Sequence, residues 1–182
     1  MKKMTSVTKC AVTAVCMALC VVLPMALHAI PNAGKLFSPM HIPVLLCGLL
    51  CGWQYGLVCG LAGPVLSSLL TSMPPMGTPT LYGMIIELAV YGLMTGLMMR
   101  LVHTKNQTAD LYISLATAML AGRVVGGLSK ALFFSAGSYT FSAWASAYFT
   151  AGFPGIIIHL ILVPVLYLAL CKAHLVPARY AK

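Results

Sequence analysis

Charged side chains are scarce in this sequence, and acidic side chains are almost missing. Asp, Glu, Lys and Arg make up 7% of the 182 residues, only 2 residues are acidic, and 60% of the chain is hydrophobic. A soluble domain usually carries about 25% charged residues, so this chain lacks the polar surface that a globule in water needs. The shortage excludes a soluble domain and predicts an all-α protein in a lipid bilayer. No polar stretch is long enough for a second domain, so we expect a single membrane domain over residues 1–182.

Motifs for catalysis and nucleotide binding are absent as well. The sequence has no G-x-x-x-x-G-K-[ST] loop and no H-E-x-x-H pair, which excludes ATP hydrolysis by a phosphate-binding loop and zinc-protease chemistry. The few polar groups in the apolar segments do not supply a nucleophile with an oriented base. We therefore predict that the chain is not an enzyme and uses no cofactor. An intramembrane enzyme that uses Glu87 or His159, and a purely structural subunit, are the alternatives.

The cysteines lack the spacing of a metal site or of a disulfide framework. No C-x-x-C occurs, and the cysteines lie inside apolar runs without alternating histidines. Free cysteine behaves as a small, often buried hydrophobe. We therefore predict packing roles for all of them, with no disulfides and no zinc site. They are Cys10, Cys16, Cys20, Cys47, Cys51, Cys59 and Cys171.

The net charge of +9 predicts membrane topology rather than nucleic-acid binding, because the basic residues form no stripe with interleaved aromatics. Apolar spans are predicted near 8–28, 41–53, 55–72, 79–102, 110–136 and 148–171. With these six spans, the loops of one side carry only Lys35, and the opposite side carries eight basic residues. The positive-inside rule then predicts a compact six-helix bundle with both termini cytoplasmic. The eight residues are Lys2, Lys3, Lys9, Arg100, Lys105, Lys172, Arg179 and Lys182.

Two segments allow a second interpretation. Residues 41–72 could form one helix, but its length of about 48 Å would exceed a hydrocarbon core of about 30 Å. We therefore predict two short helices that fold back at Gly52–Gly56. Residues 1–29 could be a cleaved signal peptide, but the apolar run Cys10–Leu27 has 18 residues, more than the roughly 7–15 of such a peptide. An uncleaved first span is the prediction.

Small residues recur at the four-residue spacing that lets membrane helices approach closely. Ala14 and Ala18 form such a pair in the first span, and a tightly packed bundle or an exposed face for a partner subunit explains it. Glycines repeat the spacing in the later spans. They are Gly48, Gly52, Gly56, Gly60, Gly92, Gly96, Gly122 and Gly126.

Ionisable residues within the spans are the main candidates for a binding site, since a charge at the bilayer centre costs about 2.5–3.5 kcal/mol. They are Glu87, Arg123, Lys130 and His159. Counted along antiparallel helices, Glu87 and Lys130 are level, and Arg123 lies two turns deeper. We predict that these residues and Tyr91 line an outward-facing pocket whose net positive charge favours an anionic ligand. The alternative is that Glu87 pairs with a basic residue only to hold the bundle together.

The predicted outer loops add further candidates. Loop 29–40 offers Asn32 and Lys35 and leads into His41, which we place at the water boundary, where it needs no buried partner and faces the ligand. Loop 137–147 offers Trp144, which stacks on a ligand or belongs to an interfacial aromatic belt.

The run "SPMHIPVLLCGLLCGWQYGLVCGLAGPVLSSLLTSMPP", together with the six short spans, the Ala-x-x-x-Ala pair and the proline-containing first outer loop, resembles an S component of an energy-coupling factor (ECF) transporter. The resemblance extends over nearly the whole chain and is most specific at 38–75. The sequence is similar to the vitamin-type group of S components, which includes pantothenate and cobalamin-related members.

This resemblance implies a membrane subunit that binds a micronutrient from outside and docks on a scaffold membrane subunit with two ATPase subunits. Ala14 and Ala18 match the docking motif of the first span, and loop 29–40 matches the gating loop. Pantothenate or another anionic vitamin is the leading substrate. A cobalamin precursor, a queuosine-type or a niacin-type substrate are the alternatives.

One departure concerns metals. Nickel and cobalt S components begin with a Met-His segment at the extreme N-terminus, whereas "MHIP" here lies at 40–43 and no carboxylate follows it. His28 and His41 flank the same loop, but we predict no metal site.

Overall fold

The computed structural model describes residues 4–27, 37–129, 142, 144, 146, 152–173 and 175–176. Its elements within these ranges are helices: α1 (Ser6–Ala26), α2 (His41–Cys51), α3 (Trp53–Thr71), α4 (Pro79–Leu101), α5 (Gln107–Ser129) and α6 (Phe153–Lys172). The all-α prediction is thus confirmed for the described chain. Five of the helices are long and apolar enough to cross a membrane, and α2 is shorter, with 11 residues. Six full spans and cytoplasmic termini stay predictions.

Local signals in the sequence explain where several helices begin and end. Thr5 caps α1 by accepting a hydrogen bond from the Thr8 N–H at 3.2 Å, and Thr78 accepts one from the Leu81 N–H at the start of α4. Pro79 stands in the first turn of α4, where a missing N–H costs little. Such caps satisfy backbone donors that have no partner within the helix.

The predicted break in residues 41–72 occurs at Gly52. This residue has a φ of +100° and separates α2 from α3, a conformation that glycine adopts without a steric penalty. A Cβ built on Gly56 would lie 2.7 Å from the Gly48 Cα, so the two helices run back along each other. The alternative of one long helix is wrong.

Glycines bring α3 and α4 into backbone contact. A Cβ on Gly92 would overlap the Gly56 carbonyl, one on Gly60 would overlap the Leu88 carbonyl, and one on Gly96 would overlap the Trp53 backbone. The paired residue numbers rise along one helix as they fall along the other, which is the pattern of antiparallel helices. The predicted packing role of the four-residue glycine spacing is confirmed here.

The cysteines are all free, and most of them pack inside the bundle. Cys16, Cys20, Cys47, Cys51 and Cys59 are buried. Cys47 donates from Sγ to Thr13 Oγ1 at 3.5 Å and so joins α2 to α1. The predicted packing role is wrong for Cys10, which is exposed, and Cys171 is only partly buried.

Candidate functional site

Four predicted site residues meet at the end of the bundle where α2 and α6 begin. His41 opens α2, Glu87 and Tyr91 lie one turn apart on α4, and His159 lies in the second turn of α6. His41 and Glu87 are each 8% exposed, and Tyr91 and His159 are each 1% exposed. Protein therefore encloses these side chains, although a bilayer would surround the bundle.

His41 is at the centre of this group. Its ring meets Tyr91 edge-on with centroids 5.0 Å apart and stacks on His159 with centroids 5.6 Å apart. Its Nε2 lies 3.7 Å from Glu87 Oε1. The prediction of a boundary position without buried partners is wrong, because the buried His41 ring contacts Tyr91 on α4 and His159 on α6.

Glu87 is held by a neighbour on its own helix. The Tyr91 hydroxyl donates to Glu87 Oε1 at 3.2 Å, as the four-residue separation on one helix face allows. Tyr91 in turn packs against α5, where a Cβ on Gly122 would overlap its ring. Glycine at 122 therefore makes the space in which the Tyr91 ring lies.

His159 connects α6 to the segment that precedes α2. Its Nε2 is 3.3 Å from the Ser38 carbonyl oxygen, and because a carbonyl only accepts, we assign the proton to Nε2. The same carbonyl accepts from the His41 N–H at 3.0 Å. Ser38 has a φ of +43°, so this turn holds an unusual backbone conformation at the edge of the site.

Arg123 brings a guanidinium to this region from α5. It is 8% exposed and directly follows Gly122, which packs on the Tyr91 ring. The Arg123 backbone carbonyl accepts a hydrogen bond from Trp144 Nε1 at 3.2 Å. A Cβ on Gly127 would overlap the Trp144 indole, so α5 makes space for one aromatic ring on each side of Arg123. We call His41, Glu87, Tyr91, Arg123 and His159 the polar cluster.

Some predicted residues lie elsewhere. Asn32, Lys35 and Lys130 fall outside the described residues. Ala14 and Ala18 are exposed on α1, whose buried residues are Thr13, Cys16 and Cys20.

Three contributors were missed by sequence reasoning. Ser38 acts through its backbone carbonyl, which no side-chain pattern reveals. Gly122 was assigned only to helix packing, and Gly127 was not singled out. Both glycines lie close to an intramembrane arginine in the sequence. This pattern was the signal that could have indicated space for aromatic rings.

No metal centre is found within the described ranges. No group of three or more His, Cys, Asp or Glu side chains is placed there to hold an ion. The polar cluster instead combines an anion, a cation, a phenol and two imidazoles, which is the mixed chemistry of a site for a small polar molecule.

Comparison with protein families gives a match to the model described as "ECF transporter, substrate-specific component", over residues 8–167. Comparison with curated proteins gives no match. The match covers most of the 182 residues and agrees with the apolar helices and the enclosed polar cluster. Members of this family are substrate-binding subunits of membrane transporters rather than enzymes. The chain belongs to the family of ECF transporter substrate-specific components.

Proposed function

We propose that this chain is the high-affinity binding subunit of an ATP-driven importer for a small water-soluble vitamin that carries an anionic group, with pantothenate as the first candidate. A scaffold membrane subunit and two ATPase subunits supply the energy. The protein lies in a bacterial cell membrane with both termini in the cytoplasm. The observation that carries the proposal is the buried Arg123 side chain, which directly follows the glycine that packs on the Tyr91 ring.

The guanidinium is the reason for choosing an anionic substrate. Arg123 is 8% exposed in an apolar helix bundle, where an arginine costs about 2.5–3.5 kcal/mol on insertion scales. Arginine presents a planar fork that binds carboxylates through two parallel hydrogen bonds. Charge-assisted hydrogen bonds from a guanidinium to a ligand carboxylate are roughly twice as strong as bonds between neutral groups. Lys130 adds a second positive charge in our proposal.

Two further parts of the proposal concern access and docking. Loop 29–40 acts as the gate, with Asn32 and Lys35 facing the ligand and His159 holding the end of the loop through the Ser38 carbonyl. The exposed pair Ala14 and Ala18 lies against the scaffold subunit, where small side chains allow close approach of helices.

Isothermal titration of the purified chain in lipid nanodiscs tests the anion assignment. The panel holds pantothenate, nicotinate, a cobalamin precursor and a queuosine-type base, and we expect stoichiometric binding of pantothenate. Arg123→Ala should weaken this binding roughly 10- to 150-fold, since a hydrogen bond to a charged group contributes about 1.5–3 kcal/mol.

Arg100→Ala is the matched control, because Arg100 is exposed in the last turn of α4. It removes a positive charge far from the polar cluster and should leave the affinity unchanged. Equal affinities of the wild type and a folded Arg123→Ala variant would refute the role of Arg123.

A further inference from the structure

His41 holds a buried ring nitrogen at the centre of the polar cluster. His41 Nδ1 has no hydrogen bond to any of the residues that the structure describes, and the residue is only 8% exposed. Buried polar side-chain atoms are nearly always hydrogen-bonded, so an orphan of this kind at a binding site indicates a partner that arrives with the ligand.

The neighbours of His41 decide which kind of partner it needs. Its Nε2 faces Glu87 Oε1 at 3.7 Å, and an ionised carboxylate only accepts hydrogen bonds. The proton of a neutral imidazole is therefore favoured on Nε2. Nδ1 then carries a lone pair and must accept. His159 and Tyr91 contact the His41 imidazole through their own rings. These contacts therefore do not change which nitrogen of His41 carries the proton.

Arg123 limits what the rest of the ligand can be. Tyr91 contacts the His41 ring and also packs on Gly122, the residue before Arg123. In this proposal the ligand places its anion at Arg123 and another group at His41 Nδ1. A simple acid without a donor would reach Arg123 and leave Nδ1 buried and unpaired.

We propose, on the basis of the function proposed above, that His41 Nδ1 accepts a hydrogen bond from a hydroxyl or an amide N–H of the ligand. The substrate class is then an acid that carries a hydrogen-bond donor, a hydroxy acid or an amido acid. His41 is the residue that separates this class from acids of similar size without a donor, because a site built to pair with a donor rejects analogues that lack it.

Titration with matched ligands and variants tests this assignment. The probes are pantothenate and three analogues that each lack one donor, with either hydroxyl replaced by hydrogen or the amide N–H replaced by an ester oxygen. For the wild type, one of the analogues should bind roughly 5- to 150-fold more weakly. His41→Gln, whose amide extends towards the Nε2 position, should weaken pantothenate binding by a similar factor and abolish the preference over that analogue.

His41→Asn places its amide oxygen near the Nδ1 position, and it should retain more of the affinity and of the preference than His41→Gln. His103→Gln is the control for the histidine change itself, since His103 is exposed in the loop after α4. Equal binding of pantothenate and all three analogues by the wild type would overturn the proposal, as would equal losses in the Asn and Gln variants.

A second measurement separates failure of this inference from failure of the proposed function. Binding of nicotinate but not pantothenate would keep an anionic substrate and overturn the donor requirement. If the chain binds none of the panel, nitrogen-15 NMR of the histidine-labelled chain still tests the tautomer, with His41→Asn for assignment. A neutral His41 protonated on Nε2 supports the proposal, and a proton on Nδ1 overturns it.

Discussion

Side chains of the polar cluster hold one another in place through contacts that join three helices, α2, α4 and α6. Tyr91 donates to Glu87, the His41 ring lies between Tyr91 and His159, and His159 is bonded to the Ser38 carbonyl. Each contact fixes a rotamer before a ligand arrives, which lowers the entropy cost of binding. The cluster is therefore a preorganised site rather than a set of isolated polar residues.

The hydroxyl of Tyr91 gives the first prediction at this scale. Tyr91→Phe keeps the ring against Gly122 and removes the bond to Glu87 Oε1, so the carboxylate loses a buried donor. We expect a loss of about 1.5–3 kcal/mol in stability, measured as a lower midpoint of thermal unfolding in detergent.

Tyr112→Phe is the matched control for that change, because Tyr112 is 43% exposed on α5. The control should unfold at the wild-type temperature. If Tyr91→Phe also unfolds at that temperature, the bond to Glu87 does not hold the cluster together.

At the scale of helices, the crossing of α3 and α4 depends on glycine. Gly56 and Gly92 stand opposite each other, and a Cβ on either would overlap the backbone of the other helix. Close approach of this kind supplies the van der Waals contact that holds helices together in lipid, where hydrophobic burial contributes little. Because Glu87 and Tyr91 lie on α4, the same crossing positions them towards α2.

The two glycine sites differ in what a methyl group would meet, and this gives the second prediction. Gly92→Ala collides with the Gly56 carbonyl and backbone, which cannot move aside. We expect it to cost more than the roughly 1–3 kcal/mol typical of overpacking and to weaken ligand binding by shifting α4.

Gly63→Ala is the variant with which Gly92→Ala is compared, and we expect its effect on stability to be smaller. Its Cβ would meet only the Cys20 side chain, at 3.0 and 3.2 Å, and that side chain can shift. Thermal unfolding of both variants should therefore rank Gly63→Ala as clearly milder. The reverse order would show that α3 and α4 are not held by the Gly56–Gly92 contact.

At the scale of the whole molecule, the sequence predicts the helices and the kinds of residue in the site, but not their contacts. The apolar runs and Gly52 are sufficient to predict α2 and α3, because lipid and a positive φ leave few alternatives. The burial of His41 could not be predicted, since it depends on how the start of α2 packs against α6, a contact distant in sequence. The role of the Ser38 carbonyl could not be predicted for the same reason.

The exposed face of α1 gives a prediction that involves the whole transporter. In the most apolar 18-residue stretch of α1, only 17% is buried. Most of the surface of this helix is therefore available to lipid or to a partner. A double change, Ala14→Leu with Ala18→Leu, should abolish ATP-dependent uptake by the assembled transporter and leave binding by the isolated chain unchanged.

Ala116→Leu, at an exposed position of α5, is the control and should support normal uptake. Normal uptake by the double variant would exclude this face as the docking surface. Loss of ligand binding in the double variant would show instead that α1 is needed for the site itself.

The most direct test of the central claim is native mass spectrometry of the chain purified alone from its membrane. The account predicts one small molecule bound per chain, a water-soluble acid with a hydroxyl or amide donor, and its loss in Arg123→Ala but not in Arg100→Ala. Repeated absence of any bound molecule from folded protein, together with no binding across the vitamin panel, would contradict it.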